Sequence, residues 1–329
     1  MIFVPPEWAP QRALWVGWPH LPDEWGDAFV GAQVEIAAFV RAAATYVPVR
    51  VACGRAMARQ RAGLALAGIE NVYLEDVPAG DIWLRDTGPI VGRSGKSLLG
   101  LTFGFNGWGG KFVMPGDTET AAAICGQERL TVQAHDFILE GGAIDLDGAG
   151  RLLTTRECVL NANRNGWTQK QAEAALKTAL AVCEIIWLDE GLVGDHTDGH
   201  VDNIARFAAP GHVVCQTPSG RDDPQAERLA AAEVALRASG LRVTTMPSPG
   251  RVDDAEGEMM PASHMNFTLV NGAVLLPVYK DTYSAQAADV LRELFPDRDI
   301  VCLPAMHILA GGGSFHCMTR EIPDLGAMA

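Results

Sequence analysis

The sequence predicts an α/β fold of about five units, each a hairpin, a helix and a strand of roughly 60 residues in all, set in a ring as a single domain over residues 1–329. Three observations carry this expectation. Four turn glycines, Gly95, Gly148, Gly211 and Gly272, follow one another at intervals of 53, 63 and 61 residues. Most of the intervals hold a helix-like run and then a short apolar run, the alternation that marks α/β units. Finally, no linker or low-complexity stretch divides the chain.

The elements follow in order. Residues 30–44 have the content of a helix, and Val49-Arg50-Val51-Ala52 that of a strand. Residues 89–101 read as strand, turn and strand, reversing at Arg93-Ser94-Gly95-Lys96; residues 143–155 reverse at Asp147-Gly148-Ala149-Gly150 and 201–216 at Ala209-Pro210-Gly211. Residues 266–278 reverse at Asn271-Gly272, the strongest short hairpin signal, since Asn and Gly best tolerate the φ > 0 that such turns need. Residues 168–183 are rich in helix formers with Thr168 as N-cap, and Glu184-Ile185-Ile186-Trp187-Leu188 follows as a buried strand. Residues 223–239 repeat the pattern, stopping at Gly240 before a strand over 241–244. Residues 284–295 do so again, stopping at Pro296 before Ile300-Val301-Cys302-Leu303.

Composition narrows the function. The chain of 329 residues is 48% hydrophobic and 20% charged, as a protein with a sizeable core should be. A formal charge of -14 argues against nucleic acid and anionic membranes as partners. The start, Met1-Ile2-Phe3-Val4-Pro5-Pro6-Glu7-Trp8, lacks the basic and apolar regions of a signal peptide, and no apolar run approaches about 18 residues, the length that spans a membrane. Seven scattered cysteines without a C-x-x-C suit neither a zinc ribbon nor a disulfide framework. The expectation is a reduced, cytoplasmic protein.

The same period places the polar residues. Asp86, Glu140 and the pair His200 and Asp202 each precede a turn glycine by about eight to ten residues, where a unit enters its hairpin. In a ring of like units those positions converge on the centre. Cys317 follows the last predicted strand, behind Gly311-Gly312-Gly313, which permit close backbone approach. A lone thiol is either a small core hydrophobe or a nucleophile. His200 and Asp202, two apart in an expected strand, share a face; alone they read equally as an edge histidine and a solvated aspartate. Asp86 beside Trp83 suits a planar cation, or is a turn residue next to a core ring. Glu140, expected in an apolar strand ahead of Gly141-Gly142, needs a partner, either a histidine to orient or a structural hydrogen bond. Trp108, among Asn106-Gly107-Trp108-Gly109-Gly110, is a pocket wall or a packed corner. As a set, Cys317, His200 and Glu140 supply a thiol, a base and an orienter, with Asp86 and Asp202 left over. Two spare carboxylates repel a thiolate unless the substrate is a cation, and a guanidinium offers an edge to each.

These motifs resemble those of the agmatine deiminases of the pentein superfamily, which also holds bacterial peptidylarginine deiminases. The resemblance spans nearly the whole chain: Pro6-Glu7-Trp8, Trp15-Val16-Gly17-Trp18-Pro19, IWLRDTGP (82–89), GFNGWGG (104–110), LEGG (139–142), LTTRECVLNANRN (153–165), DGHVDN (198–203), PAS (261–263) and GGGSFHCMT (311–319). It implies a five-bladed α/β propeller, with Cys317 as nucleophile, His200 as general acid and base, Glu140 as its partner, and Asp86 and Asp202 as the guanidinium clamp. Trp83 and Trp108 would line the pocket, with Gly312 beside the substrate. It implies hydrolysis of a small cationic guanidine, agmatine first, to the ureido product N-carbamoylputrescine and ammonia through a Cys317 thiouronium. Neither metal nor organic cofactor is implied, and assembly into a homo-oligomer is compatible. Three positions depart from the family pattern. His196 stands where an acid is usual, His264 where a tyrosine is, and Arg320 where a glutamine is. With His196 and Arg320 as tail-binding residues, a guanidine with a neutral or carboxylate tail, or a peptidylarginine, is the alternative substrate.

Two rival readings belong to other classes. His196 and His200 form H-x-x-x-H with Asp195, Asp198 and Asp202 nearby, a zinc spacing on a helix; Gly199 and the strand-like run after it argue against a helix there. A binding module remains only if Cys317 is buried and inert.

Overall fold

The computed structural model describes residues 2–324; the expected domain over 1–329 extends at each end into residues outside these. The chain folds as an α/β protein with five separate sheets of three or four strands, none of them closed. Each sheet repeats one build, a hairpin with a parallel strand added through a helix, because parallel neighbours need a crossover. Ile90–Ser94 pairs antiparallel with Ser97–Gly104, and the helix Asp117–Glu128 leads to the parallel strand Thr131–Ile138. Ile144–Leu146 and Arg151–Thr155 form the next hairpin, and the helix Gln169–Leu180 leads to Glu184–Leu188. Ala205–Ala209 with His212–Thr217 is followed by the helix Ala226–Ala238 and Arg242–Pro247. Thr268–Val270 with Ala273–Val278 is followed by Ser284–Leu294 and Asp299–Pro304. The fifth hairpin joins the two chain ends: Thr319–Pro323 lies antiparallel to Gln11–Gly17, which continues through the helix Phe29–Ala43 into Val49–Ala52.

The turn glycines are the reason the hairpins were legible. Gly95, Gly148, Gly211 and Gly272 sit at φ 58, 67, 69 and 76°, where a Cβ would be strained. Thr168 caps its helix as expected, in a reciprocal bond with Gln171. The inner strands are buried throughout, as in Leu14, Trp15 and Val16 or Val213, Val214 and Cys215, which is why they read as continuous apolar runs.

The entries to the hairpins differ from expectation. Asp86 lies in the one-turn helix Leu84–Thr87. Glu140 is not in a strand but immediately before the 3₁₀ turn Gly141–Ala143. His200 and Asp202 are not strand neighbours either: His200 precedes and Asp202 lies within the 3₁₀ turn Val201–Asn203. A fourth turn, His264–Asn266, opens the next hairpin. These turns pack in sequence, Leu84–Thr87 on Gly141–Ala143, that on Val201–Asn203, and that on His264–Asn266. Leu84–Thr87 also packs on Thr319–Pro323, the strand just after Cys317. Cys317 is thus not the end of the last unit but the entry to the hairpin that the chain ends make together.

Candidate active site

A cavity of about 150 Å³ opens beside these turns. Its inner wall is buried: Trp25, Trp83, Asp86, Trp108 and Cys317. Its outer rim is exposed at Glu24, Phe112 and His196. Cys317 lies within the turn in which Met318 N donates to Ser314 O at 3.2 Å. Its amide donates to Asn266 Oδ1 at 3.2 Å, and Asn266 Nδ2 donates to its Sγ at 3.1 Å. Two atoms of one amide therefore fix both the backbone and the sulfur. Gly313 is required by space, since a Cβ there would stand 2.7 Å from the Trp83 ring and 3.2 Å from Sγ. Gly312, at φ 102°, lines the cavity.

Asp86 and Asp202 both approach the thiol. Asp86 Oδ2 accepts from Trp108 Nε1 at 2.9 Å, and its Oδ1 from Gly142 N at 2.9 Å. Asp202 is fully buried; its Oδ2 faces His316 Nδ1 at 2.7 Å and accepts from Cys317 Sγ at 3.8 Å. Its Oδ1 has no hydrogen-bond partner among the described residues. Burial, then Asp202 and then Asp86, push the Cys317 thiol well above the ordinary cysteine range.

His200 lies just behind, fully buried, with Nδ1 3.8 Å from Asp86 Oδ2. Neither ring nitrogen has a hydrogen-bond partner among the described residues. Burial opposes its cation, but Asp86, Cys158 and Glu140 outweigh that and raise its pKa well above the usual value. Glu140 is raised by burial against the attraction of His200 and Arg164, and its Oε1 accepts from Arg164 Nε at 2.6 Å. Arg164 also donates to Asp198 Oδ2 at 2.8 Å and Thr197 O at 2.9 Å, tying Glu140 to the loop that delivers His200. That loop turns inward through Asp198 and Gly199 at φ 63 and 85°, which is why the segment is no strand. Gly142 marks the convergence: a Cβ there would stand 2.6 Å from His200 Nδ1, 3.0 Å from Asp202 Oδ2 and 3.1 Å from Asp86 Oδ1.

Of the residues named from sequence, Trp83, Asp86, Trp108, His196, Gly312 and Cys317 line the cavity, and His200, Glu140 and Asp202 lie directly behind its wall. Arg320 does neither. It is buried on the strand beyond Cys317, donates to Arg85 O, and is lowered to about 10 by burial and then by Arg85. It cannot bind a substrate tail in this cavity. His264 is also buried elsewhere, with Nδ1 2.9 Å from Pro247 O. Sequence reasoning missed Asn266, Arg164, Trp25 and Asp81. Asn266 opens the fourth hairpin as Asp86 opens its own, so the period that found Asp86 pointed to it as well. Asp81 accepts from Trp25 Nε1 at 3.0 Å, and Trp25 stacks on Trp83 at 6.0 Å, a clamp that no local pattern announces.

One group among the described residues has the proximity to hold a metal ion: Glu140, Cys158 and His200 each offer an atom within 4.8 Å of the others. His196 is not in it. A cation there would compete with Arg164 for Glu140 and require ionisation of Cys158, whose pKa burial raises. The donor set suits a protonatable histidine better than a metal.

The model of the Porphyromonas-type peptidyl-arginine deiminase family matches residues 3–323, nearly all of the described chain, and the chain belongs to that family. Within it, the chain is 36% identical to the agmatine deiminase of Stutzerimonas stutzeri and 37% to that of Pseudomonas aeruginosa. The alignments cover 98% and 97% of this chain and 95% of each relative. The solved structure of a Campylobacter jejuni agmatine deiminase with substrate bound superposes with a TM-score of 0.92 at 28% identity, covering 98% of this chain and 97% of that one.

Proposed function

We propose that this protein is a guanidine deiminase that hydrolyses agmatine to N-carbamoylputrescine and ammonia, with Cys317 as nucleophile. One observation carries the reading. The buried Cys317 sulfur lies against Asp202, which keeps an unpartnered oxygen, in a cavity whose lining includes Glu24, Asp81 and Asp86 but neither lysine nor arginine. Such a cavity is built for cations. The agmatine deiminases of similar sequence over nearly the whole chain support the same substrate.

The chemistry follows from the geometry. Asp86 and Asp202 pair with the guanidinium edges and orient its carbon toward Sγ. Neutralising those carboxylates removes the repulsion that holds the thiol protonated, so the substrate itself promotes the thiolate. Sulfur attacks the carbon. The proton lost by the thiol is returned by His200 to the departing nitrogen, which leaves as ammonia and gives an S-alkylthiouronium. His200 then takes a proton from water as its oxygen adds to the same carbon; the C–S bond breaks, releasing Cys317 and the ureido product. Asp86 and Glu140, the latter steadied by Arg164, favour the imidazolium that hands over the proton.

The finer architecture belongs to the same reading: the five sheets stand as the blades of a propeller, and the described chain acts as one catalytic domain. Among the described residues no helix is long and apolar enough to cross a membrane, and the seven free thiols support a cytoplasmic setting. Ammonia release from agmatine, arginine, peptidylarginine and guanidino acids tests the reaction, with Cys317→Ala as blank. Agmatine should be preferred; turnover retained by Cys317→Ala refutes the assignment.

A further inference from the structure

The inner half of the cavity accounts for one positive charge, and agmatine carries two. The outer charge needs its own acceptor, and the lining offers three carboxylates. Asp86 is committed to Trp108, Gly142 and the neighbourhood of His200. Asp81 is buried, accepts from Trp25, and is pushed up to about 7 by burial. Glu24 is different. It is exposed at the rim, and its carboxylate has neither a hydrogen bond nor an ion pair with any described residue.

Glu24 is also well held at its base. It belongs to the one-turn helix Pro22–Trp25, whose last residue is anchored to Asp81 and stacked on Trp83. The carboxylate is therefore tethered to the indole that walls the cavity. Among the described residues, neither lysine nor arginine lines this cavity. Lys111, the nearby cation, pairs with Asp198 and donates to His196 O at 2.9 Å. His196 shares the rim beside Gly312 but offers no carboxylate.

We infer that Glu24 receives the distal ammonium of the substrate and selects guanidines with a cationic tail over those with a neutral or anionic one. This rests on the deiminase reading above and adds a specificity residue to it. It also explains how a chain with His196 at the rim keeps a negative outer end: the charge sits on the neighbouring one-turn helix.

The test compares kcat/KM for agmatine, butylguanidine and 4-guanidinobutanoate in the unsubstituted enzyme, in Glu24→Gln and in Glu24→Lys. Glu24→Gln should lower the agmatine-to-butylguanidine ratio roughly tenfold, the factor that about 1.4 kcal/mol of lost pairing gives, and mainly through KM. Glu24→Lys should lower it further and raise relative turnover of 4-guanidinobutanoate. Ratios within about twofold of the unsubstituted enzyme, in both variants, overturn the inference while leaving the deiminase reading intact. An unsubstituted enzyme that turns over none of the three overturns both.

Discussion

Cys317 shows how little one residue says alone. A thiol between two carboxylates is a poor nucleophile at rest, and that is useful only if the substrate cancels their charge. Asp202→Asn should therefore separate two effects. Removing the negative neighbour lowers the thiol pKa, so inactivation by iodoacetamide at pH 8 should quicken. With Asp202 in the proposed clamp on the guanidinium, the same change should lower kcat/KM for agmatine about a hundredfold or more. Slower alkylation in the variant would contradict the electrostatic account. Asp81 gives a second residue-level expectation. Its folded pKa, about 7, lies above its ordinary carboxylate value, so the folded state holds a proton that the unfolded state has released. Stability should fall as pH rises from about 4 through about 7. Asp81→Asn keeps an acceptor for Trp25 and removes that charge; above pH 7 it should gain on the order of 4 kcal/mol over the unsubstituted protein in urea titrations, with the gain vanishing near pH 4. A loss at pH 8 would show that the ionised carboxylate stabilises the clamp instead.

The hairpin-entry turn is the element that builds the site. Each turn presents one or two polar side chains inward, and small residues let the turns touch. Gly142→Ala should test this, since its added methyl meets His200, Asp202 and Asp86 together. A displacement of about 1 Å at these groups should lower kcat about a hundredfold, measured beside the melting temperature to separate misplacement from unfolding. The Glu140–Arg164 pair tests the support behind His200. Both side chains are nearly sealed from solvent, so Arg164→Met should cost roughly 3–5 kcal/mol by leaving a buried carboxylate unpaired. Glu140→Gln in the same protein should recover part of that loss, and strict additivity in the cycle would argue against direct coupling. The turns were only half legible in the sequence. Their spacing was readable from the glycines, but the shape of the loops that flank them was not: Asp198, ahead of the turn at Val201–Asn203, and Trp108, which caps Asp86, take φ of 63 and 52°, which ordinary propensities place elsewhere.

At the scale of the molecule, the chain closes on itself through Thr319–Pro323 against Gln11–Gly17. Ending the chain at Met318 would expose the edge strand Gln11–Gly17 and release the turn that carries Cys317. Such a truncation should lose cooperative thermal unfolding by circular dichroism, and full retention of the transition would contradict the closure. This pairing joins residues 303 to 312 apart in sequence and leaves no local signature, which is why Cys317 read as the tail of a unit and not as the start of one. Arg320 failed for the same reason. Proximity in sequence says that Arg320 and Cys317 are near, but only packing says that the arginine lies against Arg85 and Gly141, away from the cavity. The sequence by itself determined the α/β build, the hairpins and their period, because positive-φ turns and apolar strand runs are properties of short stretches. It also determined which residue types could share a centre. Which atoms meet there, with Asn266 on the sulfur, Arg164 behind Glu140, a free oxygen on Asp202 and an unpaired Glu24 at the rim, was decided only by tertiary structure, since these placements bring together residues from 24 to 51 positions apart or from different hairpin units, which no local pattern encodes.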